Sequence, residues 1–253
     1  MVRIGILGSG NMGRALIQGW INKNHELAVY SPNHGLEVAK EFNICNLSIS
    51  KLSEWSEVIV LSFLPQQLNN VANQIAPLIT KNQVIISVLG GITLIELSEA
   101  FPKNKNIIRT LPNTNIAVNA GEISYIANES INPKILKNAI NILKELGMVV
   151  PLTEDLFPAF STIAGSSPAI VAKFAESLVL SGVKSGLSRT QSIEIVNQLI
   201  LGTMKNIQEK QIDFNDFVYE ICTPGGSTIK GIYSLEKAGF TGTIMNALDK
   251  ISQ

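Results

Sequence analysis

A doubly wound α/β sheet followed by an all-helical region is the fold class this sequence predicts, and three observations predict it. The chain opens on an apolar strand that runs into a glycine-rich turn, and residues 1–152 alternate strand-like with helix-like segments. Beyond Leu152 no convincing strand follows. The 253 residues suffice for one large or two modest domains, and the expected division is 1–152 and 153–253.

Residues 2–7 form the first predicted strand, and Gly8-Ser9-Gly10-Asn11-Met12-Gly13 follows it directly, leading into a helix over 12–22. Strand, GxGxxG, then helix is the context that turns a weak glycine pattern into a dinucleotide site, the start of a Rossmann-like sheet. Gly8 permits the sharp turn, and Gly10 lets the backbone approach a pyrophosphate. Asn11 and Met12 bring amides at the helix start, and Gly13 allows close helix–strand packing. The alternative is an ordinary glycine-rich strand-to-helix loop.

The second strand, 27–30, ends in Ser31-Pro32-Asn33-His34, where an acidic side chain would accept the adenine-ribose hydroxyls. No carboxylate is present. Ser31 and Asn33 can donate to a 2′-phosphate, which favours NADP, NADPH being preferred over NADH, although the arginine that often secures this choice is also missing. Ser31 reads equally as a turn residue before Pro32. Further strands are predicted at 58–63, 84–89, 107–111, 123–127 and 148–152, several of them near-continuous apolar runs suited to a sheet covered on both faces. Helices are predicted over 36–42, 67–79, 94–100 and 133–146, and no element is read between 43 and 57.

Past 152, residues 168–185 and 190–208 read as long helices, each opened by proline or a capping residue. Between Leu156 and Gln208 the charged residues are Lys173, Glu176, Lys184, Arg189, Glu194 and Lys205. Helices this poor in charge cannot all face water, which predicts a homodimer or higher homo-oligomer formed through the C-terminal helices. A monomer with a compact helical core is the alternative.

Composition narrows the partners. Twenty basic residues balance twenty acidic ones without a lysine or arginine run, so a small-molecule substrate is expected, and neither nucleic acid nor a membrane surface. Cys45 and Cys222 are far apart and fit a reducing cytoplasm rather than a disulfide framework. The chain begins on a core strand, and apolar runs such as 58–64 are much shorter than the roughly 20 residues that cross a bilayer, so a cytoplasmic location is expected. Both histidines, His25 and His34, lie near the second strand and away from a reaction centre, which removes Ser-His-Asp, Cys-His and His-based zinc chemistry; no metal site is expected.

Five segments then combine: 4–13, Leu111-Pro112-Asn113-Thr114, Ala164-Gly165-Ser166-Ser167-Pro168-Ala169, Gly182-Val183-Lys184-Ser185-Gly186-Leu187, and Cys222-Thr223-Pro224-Gly225-Gly226-Ser227-Thr228. In this order they resemble the pyrroline-5-carboxylate reductase family, which makes proline by reducing a cyclic imine. The resemblance implies hydride transfer from NAD(P)H to the imine carbon, with the Thr228 hydroxyl near the ring nitrogen as the catalytic group. It also implies amides from Gly226 and Ser227 on the substrate, and Thr223 in support of the loop.

The residues argue the same chemistry in part. A turn over 223–228 can present backbone amides at a helix start to a carboxylate. A plain helix-to-helix turn, with Ser227 or Thr228 as N-cap, is the competing reading. An imine is electrophilic and easily protonated, so orientation and desolvation can act without a histidine acid. Asn113 leaves a strand end where ligands of open sheets collect, and is a candidate contact to nicotinamide or substrate, or else caps the turn. Gly90-Gly91 permits close approach of the cofactor, or begins the helix at Thr93.

Two positions depart from the family. Phe63-Leu64-Pro65-Gln66 stands where the family usually has Val-Lys-Pro, so a cation beside the cofactor is lost and Leu64 and Pro65 are left with backbone contacts. Asn115 replaces a further proline. A β-hydroxyacid dehydrogenase is the rival enzyme: Lys173 sits in roughly the right helix, but Ser177 stands where that family's asparagine is expected. A catalytically silent dinucleotide sensor, marked by Leu64 and Asn115, is the rival from another class.

Overall fold

A computed structural model describes residues 1–251. They form two compact units, Met1–Gly165 and, among the described residues, 166–251. In the first, apolar runs rich in valine and isoleucine become β1 (Arg3–Leu7), β2 (Glu26–Tyr30), β3 (Cys45–Asn46), β4 (Val58–Leu61), β5 (Val84–Ser87), β6 (Ile107–Pro112), β7 (Gly121–Ala127) and β8 (Gly147–Pro151). Their spatial order is β3-β2-β1-β4-β5-β6-β7-β8. Only the β6–β7 pairing is antiparallel.

Parallel neighbours need crossovers. These include α1 (Asn11–Trp20), α2 (Gly35–Phe42), α3 (Ile49–Trp55), α4 (Leu68–Ile75), α5 (Leu94–Ala100) and α6 (Pro133–Lys144). Because side chains alternate along a strand, Ile4, Ile6, Val29, Val58, Val60 and Ile86 pack with α1, α2 and α6. Leu7, Ala28, Ile59, Leu61 and Ile85 pack with α3, α4 and α5 on the opposite face. A strand buried on both faces has no polar side to display, hence the unbroken apolar runs. The chain leaves β1 towards β2 on one side and reaches β4 on the other, so the C-terminal ends of these strands flank the crevice where such sheets bind ligands.

The structure adds two elements between 43 and 57. β3 is two exposed residues and α3 is a seven-residue helix, Ile-Ser-Lys-Leu-Ser-Glu-Trp, burying only Leu52 and Ser53. Neither displays a period long enough to read. The legible signal was Ser48, whose hydroxyl accepts from the Lys51 amide at 3.3 Å and starts α3. The predicted helix 67–79 is shorter in the structure: a 3₁₀ turn, Pro65–Gln67, precedes α4, which ends at Ile75.

After β8 the chain forms α7 (Phe157–Phe160) and a π-helical turn, Ser161–Ser166. The second unit is all helical: α8 (Ser167–Lys184), α9 (Arg189–Lys210), α10 (Phe214–Ile221), α11 (Ser227–Lys237) and α12 (Phe240–Ile251). Ser188 opens α9 with a reciprocal Ser188–Gln191 cap, and Arg189 pairs with Glu176 of α8 at 3.0 Å. Among its described residues, Val179 and Val196 are the only buried apolar side chains, while Phe174, Leu180, Leu199, Leu201, Tyr219 and Tyr233 are exposed. Helices with this much apolar surface in water lack a core of their own and call for a partner surface. The helical run Glu154–Lys184 is apolar and long enough, by length and composition alone, to cross a membrane, unlike the short runs considered from sequence.

Trp20 of α1 is fully buried and donates its indole N–H to the carbonyl of Ile142 in α6, 3.2 Å away. Trp20→Phe removes that donor, leaving the carbonyl with the Glu145 amide at 3.3 Å, and is expected to cost about 0.5–1.5 kcal/mol. Trp20→Ala is expected to cost about 3–5 kcal/mol. Both should lower the urea midpoint.

Candidate active site

The turn after β1 is closed by backbone and small groups alone. Gly8 has φ 110°, and a Cβ there would stand 2.4 Å from the Ser62 carbonyl oxygen. A Cβ on Gly13 would stand 2.4 Å from the Gly8 carbonyl oxygen. Ser62, at the end of β4, donates its hydroxyl to the carbonyls of Leu7 and Gly8 at 3.1 and 3.0 Å, and the Gly8 amide donates to Tyr30 at 2.8 Å. Ser62 was not singled out from sequence; its signal was a hydroxyl directly after the apolar run of β4.

This packing delivers α1 with an open start. Its N-cap is Gly10, with no side-chain cap and no acidic residue in the first turn. The first-turn amides therefore have no side-chain acceptor, the arrangement that receives an anion. A Cβ on Gly10 would meet nothing within 4 Å, so glycine there serves no packing need within the protein.

Above the turn lies a cleft of about 580 Å³, within the range of small-molecule sites. Of the residues singled out for a cofactor, Gly8, Gly10, Asn11, Met12, Ser31 and Leu64 line it. Gly13 packs behind, and Pro65 and Gly90 are outside the lining. Leu64 is 67% exposed, so the position that lost the family's cation lies on the cleft wall. Gln67, Asn70 and Gln74 also line the cleft; sequence gave them no distinguishing mark. The two histidines separate: His34 lines the cleft at the end of β2, whereas His25 is buried against Glu145, Nε2 to Oε2 2.8 Å.

The loop holding Gly90 leads to a helix start that is closed. Thr93 and Glu96 form a capping box, and the Leu94 amide donates to Glu154 at 2.8 Å. Hydrogen bonding from Thr93, first from its amide, holds the Glu96 carboxyl below the usual range. That cap is complete at neutral pH and is lost only as pH falls through the lowered value. Glu154 also pairs with Arg109 of β6, whose guanidinium lies 4.4 Å from the Phe157 ring centre.

Asn113, 3% exposed, is engaged inside the fold. Its Nδ2 donates to the Ala164 carbonyl at 2.9 Å and to the Glu122 carboxylate, and its Oδ1 accepts from the Glu122 amide at 3.2 Å. Both amide hydrogens are used to fix the end of β6, so this side chain positions backbone.

In the second unit the turn after α10 repeats the open design. Gly225 has φ 72°, the Gly226 amide donates to the Thr223 carbonyl at 3.0 Å, and α11 starts at Ser227. Gly226 is its N-cap; neither Ser227 nor Thr228 caps it, and its first turn holds no acid. Thr223, Ser227 and Thr228 are exposed. Lys173 is exposed on α8, and its carbonyl accepts the Ser177 hydroxyl at 3.0 Å.

Residues 154–253 match the family model for pyrroline-5-carboxylate reductase dimerisation, and residues 3–91 match that for NADP oxidoreductase coenzyme F420-dependent. Pyrroline-5-carboxylate reductase of Aquifex aeolicus (strain VF5) is 30% identical over 256 residues, covering 100% of this chain and 96% of its own. The chain belongs to the pyrroline-5-carboxylate reductase family. Within that family, the crystal structure of the Plasmodium falciparum pyrroline carboxylate reductase with NADP bound has a TM-score of 0.86 at 31% identity, covering 99% of this chain and 95% of its own. The enzyme from Streptococcus pyogenes gives 0.85 at 30%, covering 99% and 96%. Similarity to 3-hydroxyisobutyrate dehydrogenase of Mycobacterium tuberculosis, TM-score 0.56 at 15% identity, covering 78% of this chain and 70% of that one, is one of fold alone.

The two glycines of the first turn separate by experiment. Gly8→Ala should unfold at markedly lower denaturant, because the Cβ meets backbone. Gly10→Ala should keep wild-type stability and lose dinucleotide affinity by about tenfold or more, measured by fluorescence titration.

Proposed function

We propose that this chain reduces 1-pyrroline-5-carboxylate to proline with NADPH, the last step of proline biosynthesis, with NADH as a poorer donor. The observation that carries the reading is the open, glycine-capped start of α11 at Thr223-Pro224-Gly225-Gly226-Ser227-Thr228, in a chain that matches its relatives end to end. The coenzyme fits the first unit: the cleft volume is sufficient, and the uncapped α1 start suits a pyrophosphate. Gly8, Gly10, Asn11 and Met12 hold the phosphates, Gly13 keeps α1 close, and Ser31 lies at the adenosine end. Leu64, Pro65 and Gly90 face the remainder through backbone. When bound, the reduced nicotinamide supplies the hydride.

The chain's own groups do the rest. Amides of Gly226 and Ser227 hold the substrate carboxylate, Thr223 braces the turn, and Asn113 fixes the end of β6. Thr228 directs its hydroxyl to the ring nitrogen and steadies the proton there, while orientation and exclusion of water lower the barrier. Residues 1–152 bind coenzyme, and residues 153–253 bind substrate and associate with a second copy. The chain is a homo-oligomer, and we assign its association to the exposed apolar faces of α8 to α12. A cytoplasmic setting follows from the biosynthetic role.

Purified protein should consume NADPH when given pyrroline-5-carboxylate, and the reading fails if it turns over only 3-hydroxy acids or binds nucleotide without turnover. Thr228→Ala should lower kcat about 100-fold with coenzyme affinity unchanged, and wild-type rates would remove Thr228 from the mechanism. Light scattering should give at least two copies of the 27.4 kDa chain per particle.

A further inference from the structure

The cleft wall at the end of β2 holds Ser31, Asn33 and His34, with no carboxylate among them. Selecting a 2′-phosphorylated dinucleotide there requires recognition of a phosphate monoester of charge about −1.5 to −2 at neutral pH, a task usually given to arginine. The neighbouring arginine is committed elsewhere. Arg14 of α1 is absent from the cleft lining, and its guanidinium bonds to the carboxylates of Glu41 and Glu37. Those bonds raise its pKa, the hydrogen bond donated to Glu41 contributing most.

His34 is differently placed. Its side chain is 64% exposed, its Nδ1 lies 3.4 Å from the Glu37 carboxylate, and its Nε2 has no protein partner among the described residues. The titratable groups on the surrounding elements are Arg14 on α1, Glu26 and Tyr30 on β2, Glu37, Lys40 and Glu41 on α2, Cys45 on β3, and Lys51 and Glu54 on α3. Of these, Glu37 is the one in contact with the imidazole, and it engages Nδ1.

We propose that the His34 imidazolium reads the coenzyme's 2′-phosphate through Nε2, supplying the ionic contact with which Ser31 and Asn33 select NADPH over NADH. This rests on the coenzyme reading above. An imidazole changes charge between about pH 5 and 8, so the selection is strongest on the acid side and weakens as the ring deprotonates. The phosphate gains its second charge near pH ~6, an opposing trend, so the histidine's share is the difference between wild type and variant.

Calorimetric titration with 2′,5′-ADP and with 5′-AMP, which carry the adenosine end alone, tests this on wild type, His34→Gln and Arg14→Gln between about pH 5.5 and 8.5. In wild type the preference for 2′,5′-ADP should exceed that of His34→Gln by about fivefold at low pH, the two converging at high pH. Arg14→Gln should keep the wild-type ratio. An unchanged ratio in His34→Gln with 5′-AMP still bound, or a ratio lost in Arg14→Gln instead, overturns the role of His34 and leaves the coenzyme reading intact. Failure of both probes to bind wild type overturns both.

Discussion

The contact on which the first unit depends is the backbone-to-backbone approach of Gly8, Gly13 and Ser62. With no side chain between them, β1, α1 and the end of β4 meet at distances that a single methyl group would prevent. The Ser62 hydroxyl completes the joint by bonding to two carbonyls of the turn. This fixes where α1 begins and which way its first amides point. The cleft at the strand ends is a consequence of that placement.

Helix starts differ in how they are finished, and those without a side-chain cap include α2, α4 and α8 as well as α1 and α11. Ser48, Thr93, Asn132, Ser188 and Asp213 each accept a first-turn amide, for α3, α5, α6, α9 and α10. α1 and α11 begin on glycine without a side-chain cap or an acid in the first turn. A Ser, Thr or Asp cap stabilises a helix start by about 1 kcal/mol, so leaving it off is a cost unless a ligand anion takes the place. One open start suits the coenzyme's pyrophosphate and the other a substrate carboxylate. In the proposed reaction, backbone electrostatics would serve both reactants without a histidine acid.

The second unit has the opposite thermodynamic problem. α9 and α10 are capped and α8 is paired to α9 at Arg189–Glu176, yet Val179 and Val196 are nearly its whole interior. Burial is the main favourable term in folding, and the proposed association through α8 to α12 would supply it. The match of residues 154–253 to a dimerisation family agrees with that requirement.

What the sequence determined was whatever depends on local spacing. Continuous apolar runs gave the covered strands, GxGxxG after a strand gave the turn, and the scarcity of charge past Leu156 gave the unfilled helical faces. Element ends shifted by a few residues where chain folds over strand tips, and β3 and α3 escaped because two exposed residues and one short serine-rich helix carry no readable period. Only the tertiary structure decided how individual polar groups are used. Asn113 could have faced a ligand, but its hydrogens bind Glu122 on the antiparallel neighbour β7 and Ala164, which is distant in sequence. Ser62 acquired its role solely because β4 lies beside β1, and Arg14 was withdrawn from the cleft by carboxylates on α2. A hydrogen bond forms between groups that folding brings within about 3 Å, and no periodicity along the chain records that meeting.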